Sequence, residues 1–469
     1  MKTLIDPAHA LREGLDDIRR EMQLPARFPP EVLAAAEQAA ARRPDAHVDR
    51  TGRPFVTLDP ASSTDLDQAF ALEASGADLL LHYAIADVDW FVRDGDPLDR
   101  EAWVRGTSQY LPDGKVSLYP PILSERAASL LPDGPRPAVV FTVRVDPSGM
   151  ARLDGAERAL IRSRAKLGYE TVQEAQLPDA FAAFAQRIHA AEDRRGAARV
   201  DAPEQEVARD AAGHFTLRFR PRVIAEDQNA TLSLACNLAV AQALLHQRTG
   251  LFRVMAGPDA KAEERLRNTA RAYGLVWPRE ASLAQFQRMI DTRDPKQAAF
   301  AQAIHRAGSG ARYQPYEDGV TPWHAAVAAS YAHATAPLRR LADRYVVRAA
   351  LAIANGEPVP AVVTEAFSTL PKAMARAEGI GGRIDRAVVD LAETVALDGR
   401  EGERFGAVVT DVDERGARIQ LCDLPVVARV ATDGLMPGDP LTVRLAEIDR
   451  RARLLRFEPE DVPGGGTAR

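Results

Sequence analysis

Two short amphipathic segments open the chain. Residues 7–23 and 30–43 place apolar residues at helical spacing, and Leu24-Pro25 separates them. The apolar stripe of the first segment consists of Leu11, Leu15, Ile18 and Met22. We therefore predict a small helical region over residues 1–48. Two roles remain open for it: a helix-turn-helix-like unit, or a docking and packing element, which is the more common role for two isolated helices.

From Arg53 onward the pattern changes to short apolar runs interrupted by Gly and Asp, which predicts a sheet rich in antiparallel pairs. Helical spacing returns at residues 97–105 and again at 163–196. The predicted strands are residues 55–58, 69–73, 79–88 and 138–145.

A strongly apolar segment at residues 230–248 predicts a buried helix, in which Asn237 and Gln242 are the main polar residues. A buried Asn must be hydrogen-bonded, either to stabilise the fold or within a functional site. Helices dominate the prediction for residues 260–397.

The last 70 residues return to short strands with Gly and Asp turns. About five strands over residues 404–458 predict a small barrel of the OB type, a common binder of single-stranded RNA. An inert β-module is the alternative. Residues 461–469 are rich in Gly and predicted to be disordered.

Composition restricts the function only weakly. With 469 residues, about three domains are expected, and 46% hydrophobic content is ordinary for a globular protein. The net charge of −6 does not favour nucleic acid, but only six of the 60 basic residues are Lys, and the other 54 are Arg, which suits phosphate contacts. Cys236 and Cys422 are predicted to be core residues. Without a signal peptide or a long apolar run, the expected protein is cytoplasmic and does not contact a membrane.

An acidic loop is the first candidate for chemistry. Asp59, Asp65 and Asp67 lie within nine residues after an apolar strand. Clustered carboxylates repel one another unless a cation lies among them, and hard oxygen ligands suit Mg²⁺ or Mn²⁺. The loop therefore predicts metal-assisted phosphoryl transfer. A solvated acidic turn that caps a helix is the alternative.

A second polar cluster lies between Trp323 and Leu351. Here Pro337 is predicted to begin a helix whose first turn exposes N–H groups beside two guanidinium groups, an arrangement that binds phosphate. The candidate RNA-binding residues of this segment are Tyr331, His333, Thr335, Arg339 and Arg340.

Four ordered stretches resemble conserved blocks of the ribonuclease II family, the RNB-domain exoribonucleases. They are the acidic loop of residues 56–70, His82 to Val88, Arg105 to Asp113 and Tyr331 to Arg340. The resemblance implies an α+β fold. Its expected parts are the helical region at 1–48, a large RNB-type catalytic domain at 49–397 with an antiparallel sheet and many helices, an OB-type barrel at 398–460 and the tail at 461–469.

The resemblance also implies Mg²⁺-dependent 3′→5′ hydrolysis of single-stranded RNA to nucleoside 5′-monophosphates. Asp59 and Asp65 are implied to hold metal, Asp67 to be the indispensable carboxylate, Tyr110 to stack on the 3′-terminal base and Arg339 to neutralise the scissile phosphate. No nucleotide cofactor is expected, and the expected state is a monomer.

Three positions depart from the family pattern. Gln68 stands where the family has a fourth Asp, and offers a carbonyl oxygen to the metal in its place. Asp385, the candidate second acid, replaces a Glu of the family's Glu-Arg pair. About 50 helical residues stand where the family has two cold-shock barrels.

Three functions compete at this point. The favoured one is an active exoribonuclease. The alternative is a catalytically weakened RNA-binding relative that acts as a regulator. The third function is a DNA regulator with a helix-turn-helix, and it is supported by the N-terminal segment alone.

Overall fold

The structure is a computed structural model, and it describes residues 10–198, 204–209, 215–220, 223–291, 294–307, 310–422, 424, 426–431 and 434–460. The tail at 461–469, predicted to be disordered, lies outside the described residues.

The helices are α1 (Ala10–Glu21), α2 (Pro30–Ala40), α3 (Val88–Phe91), α4 (Pro97–Arg105), α5 (Phe181–Arg195), α6 (Ile224–His246), α7 (Ala260–Ala272), α8 (Leu283–Gln287), α9 (Pro295–Ala307), α10 (Leu341–Ala354) and α11 (Ala361–Ala396). The strands are β1 (Val48–Asp49), β2 (Phe55–Asp59), β3 (Gln68–Ser75), β4 (Asp78–Ala86), β5 (Gln109–Leu111), β6 (Gly114–Val116), β7 (Arg136–Val145), β8 (Ala151–Ile161), β9 (Ser163–Gly168), β10 (Glu204–Arg209), β11 (Phe215–Arg220), β12 (Leu251–Val254), β13 (Arg312–Pro315), β14 (Arg404–Asp413), β15 (Gly416–Leu421), β16 (Val427–Val430), β17 (Pro440–Asp449) and β18 (Leu454–Pro459).

A seven-stranded sheet is the centre of the large domain, with the order β1-β8-β7-β4-β3-β2-β9. Its inner pairs are antiparallel, as the alternating pattern predicted, whereas the outermost pairs β1–β8 and β2–β9 are parallel. Helices α6 and α10 pack against β8. The α+β fold is confirmed.

The segment at 163–168 was predicted to be helical and is a strand instead. It pairs with β2, with Leu167 opposite Leu58. Arg, Ala, Lys and Leu favour a helix locally, but burial of β9 beside β2 decides its conformation, because tertiary packing overrides weak propensities.

Helix α10 is fixed to the rest of the domain by a buried arginine. The Arg344 side chain has no exposed surface and contacts Asp99 at 2.6 Å, Asp94 at 2.9 Å and Asp89 at 3.3 Å. These carboxylates lie in or beside α3 and α4. A buried cation without partners would be strongly destabilising, so the three contacts fix the position of α10.

The two N-terminal helices pack in different places. Leu15 and Ile18 of α1 are buried against α11, whereas Val32 and Ala36 of α2 belong to the main core. Their apolar faces do not form a core of their own. This packing favours the docking role over a helix-turn-helix unit.

The C-terminal strands form a five-stranded sheet, in the order β16-β15-β14-β17-β18, around a separate apolar core. Its edge strands β16 and β18 lie near each other, so the sheet nearly closes into the predicted OB-type barrel. Cys236 is buried as predicted, but Cys422 is exposed, so the prediction of a core position for Cys422 was wrong. Cys422 follows β15 directly, where the chain leaves the barrel core.

Helices α7, α8 and α9 enclose a small apolar cluster that also includes Val408 of the barrel. The Tyr273 hydroxyl at the end of α7 donates to the Val409 carbonyl at 3.2 Å in a buried hydrogen bond. The barrel is thus packed against the large domain. Among the described helices, none has the length and apolarity needed to cross a bilayer.

Candidate active site

The acidic loop connects β2 to β3 and is fixed at several points. The Leu66 carbonyl accepts from the Leu130 N–H at 3.0 Å, and the Asp67 carbonyl accepts from the Ala86 N–H at 2.9 Å. The Ser129 hydroxyl donates to the Thr64 carbonyl at 2.7 Å. These bonds hold the carboxylates of the loop in one conformation.

Asp67 joins this loop to the second polar cluster. Its Oδ1 accepts a hydrogen bond from the Leu338 N–H at 2.7 Å, across a separation of 271 residues. Its Oδ2 lies 3.7 Å from Nε of Arg339. The side chain of Asp67 is only 7% exposed, while that of Arg339 is 43% exposed. The arrangement places a buried carboxylate beneath a guanidinium that a ligand can reach.

Burial raises the pKa of Asp67 to about 8 and that of Asp59 to about 6. The charge of Asp65 raises both pKa values further, and Arg339 opposes the rise. At neutral pH a pKa of about 8 keeps Asp67 mainly protonated, whereas a pKa of about 6 leaves Asp59 mainly ionised. Additional positive charge nearby would favour the ionised form of both carboxyl groups.

Asp65 is bound to the short β5–β6 hairpin. Its Oδ1 lies 2.9 Å from Nζ of Lys115, and its Oδ2 accepts from the Tyr110 hydroxyl at 3.1 Å. Burial and the Asp65 charge raise the pKa of Tyr110 above its ordinary value, so the hydroxyl stays a donor. Both Asp65 oxygens are thus engaged within the protein, as Oδ1 of Asp67 is with the Leu338 N–H.

The residues fit a divalent cation that is held in part by substrate. In the part of the chain that the structure describes, no three His, Cys, Asp or Glu side chains are arranged as a ready metal-binding group. Mg²⁺ usually takes one or two carboxylates together with water and substrate phosphates. Asp59 and Asp67, whose pKa values are raised by burial and would be lowered by a nearby cation, match that requirement.

Gln68 uses both ends of its amide within the protein. Its Nε2 donates to the Thr335 carbonyl at 2.7 Å, and its Oε1 accepts from the Tyr83 hydroxyl. A backbone carbonyl can only accept, so the NH₂ group must face Thr335. These contacts make Gln68 a link between β3 and the second cluster, and the metal-binding role expected from its place in the motif stays a prediction.

The second cluster is a turn that Asp343 organises, and the helix begins later than predicted. Oδ2 of Asp343 accepts from the N–H groups of Thr335 at 3.0 Å and Ala336 at 2.8 Å, and from Nη2 of Arg340 at 2.8 Å. Helix α10 begins at Leu341 instead of at Pro337. The N–H groups that a helix from Pro337 would expose are already occupied: that of Leu338 donates to Asp67, and those of Arg339 and Arg340 donate to the Ala336 carbonyl at 3.2 Å and 3.0 Å.

The candidate RNA-binding residues of this segment differ in access. Thr335 is buried, whereas Tyr331 and His333 are partly exposed. The Arg340 guanidinium points to Asp343, with 16% of the side chain exposed. Arg339 is the more exposed of the two arginines. It is thus better placed than Arg340 to meet a phosphate.

Asn237 of the buried helix α6 is hydrogen-bonded to the segment that contains Tyr331 and Ala334. Its Oδ1 accepts from the Ala334 N–H at 2.9 Å, and its Nδ2 donates to the Tyr331 hydroxyl at 3.0 Å. The alternatives left open for Asn237 therefore combine: it is a satisfied core residue whose hydrogen bonds support the candidate site.

The segment that carries Tyr110 is hydrogen-bonded to the backbone of Arg339 and Leu341. The Ser108 N–H donates to the Arg339 carbonyl at 3.0 Å, and the Leu341 N–H donates to the Gly106 carbonyl at 2.9 Å. The acidic loop, the Tyr110 segment and the Arg339 segment thus converge, although they are far apart in sequence.

Sequence profiles of known domains match most of the chain. The profile of the RNB domain matches residues 48–355. The chain belongs to the RNB-domain family. The profile of the RNase II-type exonuclease C-terminal S1 domain matches residues 403–460, the region of the barrel.

Curated relatives of this RNB protein are ribonucleases at modest identity. Ribonuclease R of Aquifex aeolicus is 27% identical over 436 residues, which cover 87% of this chain and 61% of the relative. Exoribonuclease 2 of Cronobacter sakazakii is 28% identical over 406 residues, covering 81% of this chain and 62% of the relative. The chain spans less than two thirds of the length of each.

Solved structures share the RNB fold. Mycoplasma genitalium RNase R in complex with ribose methylated single-stranded RNA superimposes with a TM-score of 0.84 at 19% identity, covering 96% of this chain and 78% of that one. Yeast Ssd1, described as a pseudonuclease, gives a TM-score of 0.64 at 16% identity, covering 92% of this chain and 55% of that one.

Asp385 lies on the exposed side of α11 in the RNB protein. One helical turn earlier, an added Cβ on Gly381 would meet Oε1 of Gln109 at 2.9 Å, so α11 lies close to the Tyr110 segment there. This position is beside the hairpin, and the role of Asp385 as a second acid stays a prediction.

The sequence patterns did not predict two groups that contribute to the candidate site of the RNB protein, the Asp343 carboxylate and the Leu338 N–H. Asp343 organises the turn before α10, and its spacing of three residues from Arg340 was the available signal. The Leu338 N–H, which binds Asp67, gives no side-chain signal at all.

Proposed function

We propose that this RNB protein is a metal-dependent 3′→5′ exoribonuclease that hydrolyses single-stranded RNA to nucleoside 5′-monophosphates. The observation that carries the proposal is the contact of buried Asp67 with the Leu338 N–H and Arg339. This contact brings the negatively charged acidic loop, which can bind a metal ion, beside an accessible guanidinium, which can bind phosphate. Phosphodiester hydrolysis requires both.

In the proposed reaction, each segment has a separate task. Arg339 binds the scissile phosphate and balances the charge that develops on its oxygens. Tyr110, a residue that is about half exposed (49%), stacks on the 3′-terminal base. The turn around Asp343 keeps Arg339 in place relative to Asp67. Tyr331 and His333 would contact the RNA beside Arg339.

Asp59 and Asp67 would hold Mg²⁺ or Mn²⁺, with Asp65 adding negative charge nearby. When bound, such an ion polarises the phosphate and lowers the pKa of an attacking water. Ligation also requires deprotonated carboxylates, so the raised pKa of Asp67 couples metal binding to proton release.

The test uses single-stranded RNA labelled at its 5′ end and the full-length protein. With Mg²⁺ we expect a ladder of labelled products that shortens one nucleotide at a time, together with nucleoside 5′-monophosphates. EDTA abolishes both. A 3′-phosphate block on the same RNA is the control and slows the first step. Internal cleavage, or a ladder that persists in EDTA, would contradict the proposal.

The alternative is an RNA-binding regulator without hydrolysis. Two observations favour it: both ends of the Gln68 amide are occupied within the protein, and the described residues contain no ready metal-binding group. It predicts RNA binding without any ladder in Mg²⁺ or Mn²⁺ at all tested concentrations.

A further inference from the structure

The hairpin that carries Tyr110 is too small to hold its own shape. Strands β5 and β6 contain three residues each and, among the strands that the structure describes, pair with each other alone, with Tyr110 opposite Lys115. An isolated two-stranded hairpin is at best marginally stable in water. The orientation of Tyr110 is therefore set by the groups that hold the hairpin from outside.

One side of the hairpin is held by the candidate site. Tyr110 donates to Asp65, and Lys115 contacts Asp65 at 2.9 Å and Glu125 at 3.1 Å. These contacts involve residues that would face the substrate. On the side of α11, Gln109 of β5 also donates to the Ala377 carbonyl at 3.1 Å.

The other side is held by helix α1. The Arg19 guanidinium donates to both oxygens of Asp113 in the hairpin turn, at 2.8 Å and 2.5 Å. The two side chains are 28% and 15% exposed, so this two-pronged pair is shielded more than a surface ion pair. Since successive strand residues point to opposite sides, Leu111 packs against Leu15 and Ile18 while Tyr110 faces the site.

Helix α1 is itself seated firmly on the domain. A Cβ added to Gly14 would lie 2.4 Å from Cδ1 of Leu391 in α11, so α1 and α11 approach closely there. At the end of α1, Glu21 forms an ion pair with Arg453 of the barrel. Helix α1 is thus a fixed support between α11, the barrel and the hairpin.

We propose that Arg19 and Asp113 are positioning residues, through which the N-terminal helix orients Tyr110 toward the 3′-terminal nucleotide of the RNA. This inference rests on the proposed function. It gives the helical N-terminal region a task in substrate binding, without any direct contact between α1 and RNA.

The experiment compares Arg19→Ala with Arg20→Ala in the full-length protein. Arg20 is the matched control, because it is adjacent, carries the same charge and pairs with Asp17 within α1, where both are exposed. Hydrogen exchange measures how fast the backbone amides of the hairpin at residues 109–116 exchange, and therefore how firmly the hairpin is held. Fluorescence of 2-aminopurine at the 3′ end of a short RNA reports base stacking, and steady-state kinetics separate KM from kcat.

For Arg19→Ala we expect about tenfold faster exchange in the hairpin, weaker quenching of the terminal base and KM raised about tenfold with little change in kcat. Arg19→Lys keeps the charge but loses the two-pronged geometry, so intermediate values are expected. Arg20→Ala should match the parent protein in all three measurements.

Two results would overturn the inference. One is identical exchange and quenching in Arg19→Ala and Arg20→Ala. The other is faster exchange in Arg19→Ala with unchanged quenching and KM, which would make the ion pair merely structural. Exchange and quenching need no catalysis, so a parent protein that binds RNA without cleaving it would refute the proposed nuclease activity and leave this inference testable.

Discussion

At the scale of single residues, Gln68 occupies the position of an Asp in the family motif but forms hydrogen bonds that need an amide. Its amide bridges Tyr83 and the Thr335 carbonyl. A carboxylate cannot donate a hydrogen bond. An Asp at this position would therefore place a negatively charged oxygen against the Thr335 carbonyl oxygen, and both groups are acceptors. The neutral amide therefore suits its surroundings in this chain.

Gln68→Asp should lower the free energy of unfolding by about 1–3 kcal/mol and leave the metal requirement unchanged or higher, because the donor to Thr335 is lost. The measurements are urea denaturation and activity against Mg²⁺ concentration. Tyr83→Phe is the matched control: it removes the donor to Oε1 and keeps the bond to Thr335. A lower Mg²⁺ requirement in Gln68→Asp would instead establish position 68 as a metal ligand.

Asp67→Asn should lower turnover by at least about 10³ while RNA affinity stays equal or rises, because a negative charge that faces phosphate is removed. Single-turnover kinetics and fluorescence anisotropy provide the two values. Asp65→Asn also removes one charge from the cluster and serves as the comparison, with a smaller loss of turnover because Asp65 binds Tyr110 and Lys115. Similar losses in both variants would argue against a special role for Asp67.

His333 should contribute to acid sensitivity. Burial, and then the charges of Arg340 and Arg253, hold its pKa well below the ordinary value near 6.5. A depressed pKa in the folded state gives stability that is present above about pH 6.5 and is lost as pH falls, because the unfolded chain takes up the proton first.

The test compares thermal midpoints at pH 7.5 and 5.5. His333→Gln should show a smaller decrease between these pH values than the parent protein. An equal decrease would assign the acid sensitivity to other groups.

At the scale of elements, the turn before α10 shows what local sequence can and cannot predict. Helices with long periodic patterns were predictable: residues 230–248 correspond to α6, and 97–105 to α4. The start of α10 was not, because the Asp343 carboxylate holds Thr335 and Ala336 in a non-helical turn. Strand β9 was missed because its partner β2 is about a hundred residues earlier.

The candidate site was predictable to the same extent. Asp59, Asp67, Tyr110 and Arg339 were proposed from the motifs and the family resemblance, and the structure brings Tyr110 to Asp65 and Arg339 to Asp67. The contacts among them depend on backbone groups such as the Leu338 N–H and on supports such as α1, which motif spacing does not encode.

Asp343→Ala should destabilise the protein by about 3–5 kcal/mol, because it leaves the Arg340 guanidinium buried without its partner. It should also lower kcat, since Arg339 follows the same turn. Urea denaturation measures the first effect. Glu365→Ala, at an exposed position of α11, is the control and should change stability by less than about 0.5 kcal/mol. Equal stability of the two variants would show that the turn holds without Asp343.

At the scale of the whole molecule, the barrel and the large domain share an interface. Val408 belongs to the apolar cluster of α7, α8 and α9, and Tyr273 bonds to Val409. Removal of the barrel should therefore affect the stability of the large domain.

Truncation after Leu397 should weaken RNA binding and flatten its salt dependence, since phosphate contacts are lost. It should also lower the thermal midpoint, because the cluster of α7, α8 and α9 becomes exposed. Tyr273→Phe, which removes only the bond to Val409, is the control for the interface. Unchanged RNA affinity in a folded truncated protein would contradict an RNA-binding role for the barrel.

The 271-residue separation between Asp67 and Leu338 also affects the order of events during synthesis. The ribosome delivers a chain from its N-terminus at roughly 5–20 residues per second, so the acidic loop emerges on the order of 10–60 s before its partner segment. During that interval Asp67 has neither its backbone donor nor Arg339. A nascent chain therefore carries an incomplete candidate site until translation has passed the codons for the turn before α10.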